Sequence, residues 1–388
     1  MKALALKLLD GYDRHISSKI LLLSNLRMPD WEKPLDREDR PIGFTGLHGA
    51  AYFGCVEIAV ALLEMNKWNV EATDLKGNTP LAWAAGRGQE GMVRILLERN
   101  GANPNTPNEY GRTPLSQAVQ NGNEEVVRVL LQWNDINPDI ADGYGRTPLS
   151  WAAGYGDERI IRILLERNDV NPNTSDKGGR TPLSRAAEDG HAEVVRILLE
   201  RNEVDPDMAD KGCRTPLSWA AGDGHEGIVK ILLGRSDVNP NIVDWLRRTP
   251  LSWAARNGQE GVVRILLERN DVHPNTADSR SGRTPLIYAT TNGHDEAVRA
   301  LLARDDADPN IRDKHGQTPL SWAAENGREG LVRILLERSD VNPNIADEYS
   351  QTPLLQAAGN GHEGVVRILL ERNDCWKQEV DFRMYRSV

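Results

Sequence analysis

Apolar and polar positions recur along this chain with a long, fixed period. The copy Arg248-Thr249-Pro250-Leu251-Ser252-Trp253-Ala254-Ala255 is followed by Gly261-Val262-Val263-Arg264-Ile265-Leu266-Leu267-Glu268-Arg269. The same pattern is headed by Thr79, Thr113, Thr147, Thr181, Thr215, Thr249, Thr284, Thr318 and Thr352, and a weakened copy starts at Thr45. Neighbouring heads stand 34 residues apart, with one step of 35 between Thr249 and Thr284. A period of that size marks a stacked array of small units.

Each unit predicts two helices. Thr249 is a suitable N-cap, because its hydroxyl can accept from an early orphan N–H. Pro250 then occupies the first helical position, where its missing N–H costs nothing. Leu251, Ala254 and Ala255 share one face, and the small alanines allow close approach. Asn257-Gly258 ends this helix, since glycine readily takes the left-handed conformation. A second helix is predicted from about Glu260 to Arg269, with Val263, Leu266 and Leu267 as an amphipathic stripe. Glu260–Arg264 and Arg264–Glu268 are opposite-charge pairs on its wet side. Asn270-Asp271, Pro274-Asn275 and residues 278–282 read as an extended, turn-rich connector. The few large apolar side chains of one unit cannot offset the entropy of ordering it, so the units must bury one another's faces.

These residues resemble the ankyrin repeat: a threonine-proline-leucine start, an alanine pair, a glycine-histidine step (Gly190-His191, Gly224-His225) and a double leucine. The resemblance covers roughly residues 40–373 in ten copies. It implies an all-α ankyrin-repeat solenoid of about ten stacked helix pairs with projecting β-hairpin connectors. Two departures stand out. Serine replaces the family's histidine after the leucine at Ser116, Ser150, Ser184, Ser218, Ser252 and Ser321. The connectors are also one residue longer than the family's commonest, with a proline near the middle (Pro104, Pro138, Pro172, Pro206, Pro240, Pro274, Pro309, Pro343).

Three regions follow. Residues 1–41 read as an N-terminal helical cap and linker, 42–373 as the array, and 374–388 as a tail or partial cap. The opening Gly43-Phe44-Thr45-Gly46-Leu47-His48-Gly49-Ala50-Ala51 is similar to the start of ankyrin arrays in fungal receptor-like proteins that carry a NACHT nucleotide-binding domain. The phosphate-loop pattern GxxxxGK[ST] is absent, so that kinship implies an array working with a nucleotide-binding part on another chain.

Composition narrows the function classes. A formal charge of −10 and a pI near 5.4 argue against a nucleic-acid surface. No run of 18 apolar residues predicts a membrane span, and residues 1–9 are too charged to read as a secretory signal. Cys55, Cys213 and Cys375 are far apart, as in a reducing compartment. A cytoplasmic monomer is expected, and a nuclear location is compatible with the same features.

The patterns that imitate chemistry have structural readings. Three segments satisfy GxGxxG (86–91, 222–227, 359–364), but each joins two helices, whereas a dinucleotide site needs a strand before the motif. His191, His225, His294 and His362 hold one repeat position, too far apart to share a metal; the family resemblance implies that they order the interhelix turn. Asp74, Asp142, Asp176, Asp210, Asp244, Asp313 and Asp347 stand five residues before the threonine and suit turn-capping bonds. The serines of the Ser-Trp-Ala-Ala copies form a row of clones, where a nucleophile needs one base and one orienting partner. Trp83, Trp151, Trp219, Trp253 and Trp322 read as inter-repeat packing or as a partly exposed aromatic strip. No catalytic residue, cofactor or metal site is therefore expected.

What remains is the variation at connector tips and first-helix ends, which the resemblance places on the concave binding face. Tyr110, Tyr144, Trp245, Leu246 and Tyr349 are the tip candidates for partner binding. Arg87, Tyr155 and Arg256 are the candidates at helix ends, with Tyr52 and Phe53 among the other variable positions there. Tyr110, Tyr144 and Tyr155 belong to adjacent repeats and are expected to form one patch. The expected function is a non-enzymatic scaffold for a protein partner, with neither nucleic acid nor membrane. The alternatives are the sensor array of a NACHT-type system and, more weakly, an accessory factor with an enzymatic role.

Overall fold

A computed structural model of the chain describes residues 43–64 and 68–372, with only the backbone at 99 and 100. The helical cap and linker expected over 1–41 and the tail expected over 374–388 lie outside the described residues. Those residues hold 20 helices in stacked pairs and no strand. Contacts divide the chain into two compact units after Pro182.

The first unit contains α1 (Gly46–Phe53), α2 (Val56–Glu64), α3 (Pro80–Gly86), α4 (Glu90–Asn100), α5 (Pro114–Gln120), α6 (Glu124–Leu131), α7 (Pro148–Tyr155) and α8 (Glu158–Leu165). The second begins within the first turn of α9 (Pro182–Asp189). It continues through α10 (Ala192–Leu199), α11 (Pro216–Asp223), α12 (Glu226–Leu233), α13 (Pro250–Asn257), α14 (Glu260–Leu267), α15 (Pro285–Asn292), α16 (Asp295–Leu302), α17 (Pro319–Glu325), α18 (Glu329–Leu336), α19 (Pro353–Gly359) and α20 (Glu363–Glu371). Within each unit, first helices pack on first helices and second on second.

The capping logic holds locally. Thr249 Oγ1 accepts from Ser252 N at 3.1 Å, Pro250 opens α13, and Gly258 closes it at φ 72°. Leu251, Ala254 and Ala255 are fully buried. The second helix differs from expectation in two ways. It ends at Leu267 rather than Arg269, because Arg269 leaves the helix to bind its neighbour. Its buried surface is also wider than one stripe: Val262, Val263, Ile265, Leu266 and Leu267 are all buried, since repeats press on it from both sides. Arg264 keeps its ion pair with Glu260 at 2.7 Å, but its second partner is Glu296 of the next repeat rather than Glu268.

The connectors reverse like hairpins without becoming strands. Asp142 N donates to Arg146 O at 2.9 Å and Gly145 N to Asp142 O at 2.8 Å. Most tips then add a bond to a neighbouring tip, such as Gly143 N to Tyr110 O at 2.6 Å. That is too short a ladder for a strand, so the projecting β-hairpins implied by the resemblance appear as tight turns.

Candidate interaction surface

The tips are built around the recurring aspartate. Asp142 is buried, and its Oδ1 accepts from Tyr144 N at 2.8 Å and Arg146 N at 2.9 Å, an Asx turn that pushes Gly143 and Tyr144 outward. Its other oxygen takes the indole N–H of Trp151 at 3.1 Å. Asp74 with Trp83, Asp210 with Trp219 and Asp313 with Trp322 repeat this bond at 2.9, 3.2 and 3.0 Å. The tryptophans are thus half-buried struts between first helix and connector, a third role beside packing and exposed strip. The constant spacing of nine residues between Asp and Trp was the signal for it. Trp253 is the exception: Arg248 claims Asp244 Oδ2 at 2.8 Å, and the Trp253 N–H is left without a partner.

In the first unit the three predicted tyrosines come together. Tyr110, Tyr144 and Tyr155 are 44%, 58% and 57% exposed. The Arg112 guanidinium lies 5.6 Å from the Tyr110 ring and 5.4 Å from Trp151. Arg146 lies 5.4 Å from Tyr144 and 4.5 Å from Trp151, and Tyr155 stacks on Trp151 at 5.5 Å. Trp151 is therefore the hub of one aromatic and cationic patch. Tyr155 also borders an open groove of about 460 Å³ lined by Val119, Gln120 and Glu158. A hydrogen bond with Glu109 holds the Tyr110 phenol above its ordinary pKa, so it stays neutral.

Arg87 sits elsewhere in that unit, 4.2 Å over the Tyr52 ring. Tyr52 itself is buried, packed on Phe53 and Trp83, so it is not open to a partner. In the second unit Trp245 is 69% and Tyr349 76% exposed, while Leu246 is half-buried. Arg256 is exposed, 5.6 Å from the Trp253 ring. Arg214 is stacked between Trp219 at 3.5 Å and Trp253 at 4.2 Å, and burial pulls its pKa down.

The chemistry-like residues are bound into the stacking. His225, His294 and His362 each place Nε2 about one hydrogen bond, 3.0, 3.1 and 2.9 Å, from a carbonyl of the preceding repeat's first helix. They tie adjacent repeats as well as standing at the interhelix turn. His48, in the slot that serine fills elsewhere, is buried and bonds Thr45 and the Asn78 carbonyl; burial lowers its pKa. Ser252 Oγ lies 3.1 Å from the Thr249 hydroxyl in a capping box. Among the described residues, Cys55 and Cys213 are free thiols, no group of three or more His, Cys, Asp or Glu is gathered for a metal, and no helix is long and apolar enough to cross a membrane.

A helix-pair array with capped first helices, apolar second helices and ordered connector turns is a repeat protein of the ankyrin type. The family described as "Ankyrin repeats (3 copies)" matches in overlapping segments from residue 47 to residue 379, and the chain belongs to that family. A search of curated proteins returned no match, so the narrower resemblance to fungal NACHT-type arrays has no relative behind it.

Proposed function

We propose that this chain is a non-enzymatic scaffold that binds a protein partner through its connector tips and first-helix ends, the concave face of an ankyrin array, and that it does so as a monomer. Ankyrin repeats are generally protein–protein interaction modules. The observation that carries the reading is the patch of Tyr110, Tyr144 and Tyr155 around Trp151. Aromatic residues and arginine dominate interface energetics, and these rings are exposed yet seated, Tyr155 on Trp151, Tyr110 on Arg112 and Tyr144 on Arg146. A patch held in place before binding loses little entropy on association.

The test is affinity purification with the full chain, beside a Tyr110→Ala, Tyr144→Ala, Tyr155→Ala variant. The partner recovered by the parent is expected to bind the variant at least about tenfold more weakly, with an unchanged melting temperature. Equal affinity for that partner removes the patch from the function. A nucleotide-binding NTPase among the recovered proteins would place the array in a receptor-like signalling system.

A further inference from the structure

The connector tips of the second unit differ in character from the tyrosine patch. Lys211, Arg247, Arg280 and Lys314 stand on four successive tips, and all are exposed. Among the described residues none of the four has a carboxylate partner; Lys314 Nζ donates only to the Ser279 carbonyl, at 2.6 Å. The arginines at the ends of the second helices behave differently. Arg235, Arg269 and Arg304 each hold an aspartate at 2.7 Å.

The sign of the tip row has a local cause. Asp210, Asp244, Asp278 and Asp313 lie at the base of these tips with their carboxylates turned inward, at least one oxygen of each accepting from backbone N–H groups. Asp244 Oδ1 takes Leu246 N and Arg248 N at 2.9 and 2.8 Å, and Asp313 Oδ1 takes His315 N and Gln317 N at 2.9 and 3.0 Å. Carboxylates are consumed beneath the surface while cations project from it. The tips are also tied in register: Trp245 N to Gly212 O at 3.1 Å, Ser279 N to Leu246 O at 2.7 Å, Lys314 N to Ser281 O at 2.9 Å. Trp245, 69% exposed, is the apolar member of the row. His315, 3.2 Å from Glu348, marks the point where the row ends in an acidic residue.

We propose that this row docks an extended acidic peptide segment of a protein partner, its carboxylates meeting successive tip cations and an apolar side chain covering Trp245. The proposal rests on the reading of the chain as a protein-binding scaffold and names the chemistry of a partner for a second part of its surface. Packed helices lie about 8–10 Å apart, and an extended chain advances about 3.3 Å per residue. The matching segment therefore carries an Asp or Glu at about every third position. A nucleic acid is disfavoured on two grounds. The chain's charge of −10 repels a dense polyanion, and the cations are spaced one per repeat instead of clustered.

The experiment pans a displayed library of random peptides on the full chain and measures the selected clones against three proteins. These are the parent, a variant with Lys211→Gln, Arg247→Gln, Arg280→Gln and Lys314→Gln, and the triple tyrosine variant. Circular dichroism and melting temperature confirm that the variants fold. The expected clones are rich in Asp and Glu at a spacing of about three. They lose affinity about tenfold or more on the glutamine variant, weaken with salt, and bind the triple tyrosine variant as they bind the parent. Clones without acidic enrichment, clones unaffected by the glutamine changes, or no clones at all overturn the proposal. Clones lost only on the tyrosine variant overturn it while leaving the tyrosine patch standing. A labelled single-stranded oligonucleotide that binds the parent more tightly than the peptides, and loses that binding on the glutamine variant, assigns the row to nucleic acid and overturns it as well.

Discussion

Asparagine follows the connector proline in most copies, and its side chain spans to the next repeat. Asn241 Nδ2 donates to Asp271 O at 2.6 Å while its Oδ1 accepts from His273 N at 2.9 Å. Asn105 and Asn310 make the same two bonds. Positions 139 and 207 hold aspartate instead. Asp139 and Asp207 keep the acceptor half, from Asn171 N and Asn239 N at 2.9 and 2.8 Å, but each leaves Oδ1 buried with no partner. An ionised carboxylate has no proton to donate to the carbonyl that asparagine binds. Burial accordingly raises both pKa values, aided by Asp169 near Asp139 and by Asp205 and Asp237 near Asp207; Arg167 and Arg235 are engaged with Asp169 and Asp237. A raised folded-state pKa means that the protonated form stabilises the fold below the ordinary value of 3.8, a contribution lost as pH rises through the folded value. Asp139→Asn and Asp207→Asn are therefore expected to stabilise by about 0.5–1.5 kcal/mol each at pH 7, with a gain that shrinks toward about pH 4. Asp169 and Asp237, held below their ordinary values by their arginines, lose stability as pH falls. They do so equally in parent and variant, so the difference between urea midpoints isolates the substitution. A gain that grew on acidification would refute this account.

At the scale of the helix, the exposed C-terminus of several second helices is closed by an arginine of the following repeat. Arg269 Nη1 donates to Leu233 O at 3.1 Å, while its other nitrogens grip Asp271 at 2.9 and 2.7 Å. Arg235 does the same to Leu199, and Arg338 to Leu302, each at 3.0 Å. A cation there also suits the negative end of the helix dipole. Arg269→Ala is expected to cost about 1–2 kcal/mol in urea unfolding, and Arg269→Lys to recover little, because a point charge cannot serve carbonyl and carboxylate in a fixed fork. A lysine variant matching the parent would reduce the residue to its charge. The start of each first helix was legible in the sequence because threonine, proline and glycine act through their own backbone. Arg269 was not, because its role depends on a carbonyl 36 residues earlier in the chain. The Asp–Trp struts escaped for a related reason. Each residue had a satisfactory local reading, a turn cap or a packed ring, so the constant spacing of nine residues that joins the two went unread until three-dimensional placement explained it. The tyrosine patch was legible as a set of positions on adjacent repeats; that Trp151, Arg112 and Arg146 connect them was not.

For the molecule as a whole, stacking makes stability a matter of neighbours. A helix-pair unit touches only the repeats beside it, so damage should spread by proximity and fade with distance. Leu266 is fully buried on α14, between α12 and α16. Leu266→Ala removes a core side chain that repeats on both sides enclose, and is expected to cost about 2–5 kcal/mol. In a globule with one core, that loss would lower amide protection everywhere by a similar factor. In this array, protection is expected to fall most in the flanking repeats, at Val229 and Val298, by about 30-fold or more. At Val365, on α20 and three repeats further along, the fall should be several times smaller. Native-state hydrogen exchange on parent and variant reads both quantities at once. A uniform drop at all three valines would mean that the second unit unfolds as one body, and a cost under about 0.5 kcal/mol would deny that the second-helix leucines form the shared core. A graded drop carries a consequence for recognition: tips several repeats away from a damaged unit keep their geometry, so one part of the surface can change its partner while the rest of the array stays folded.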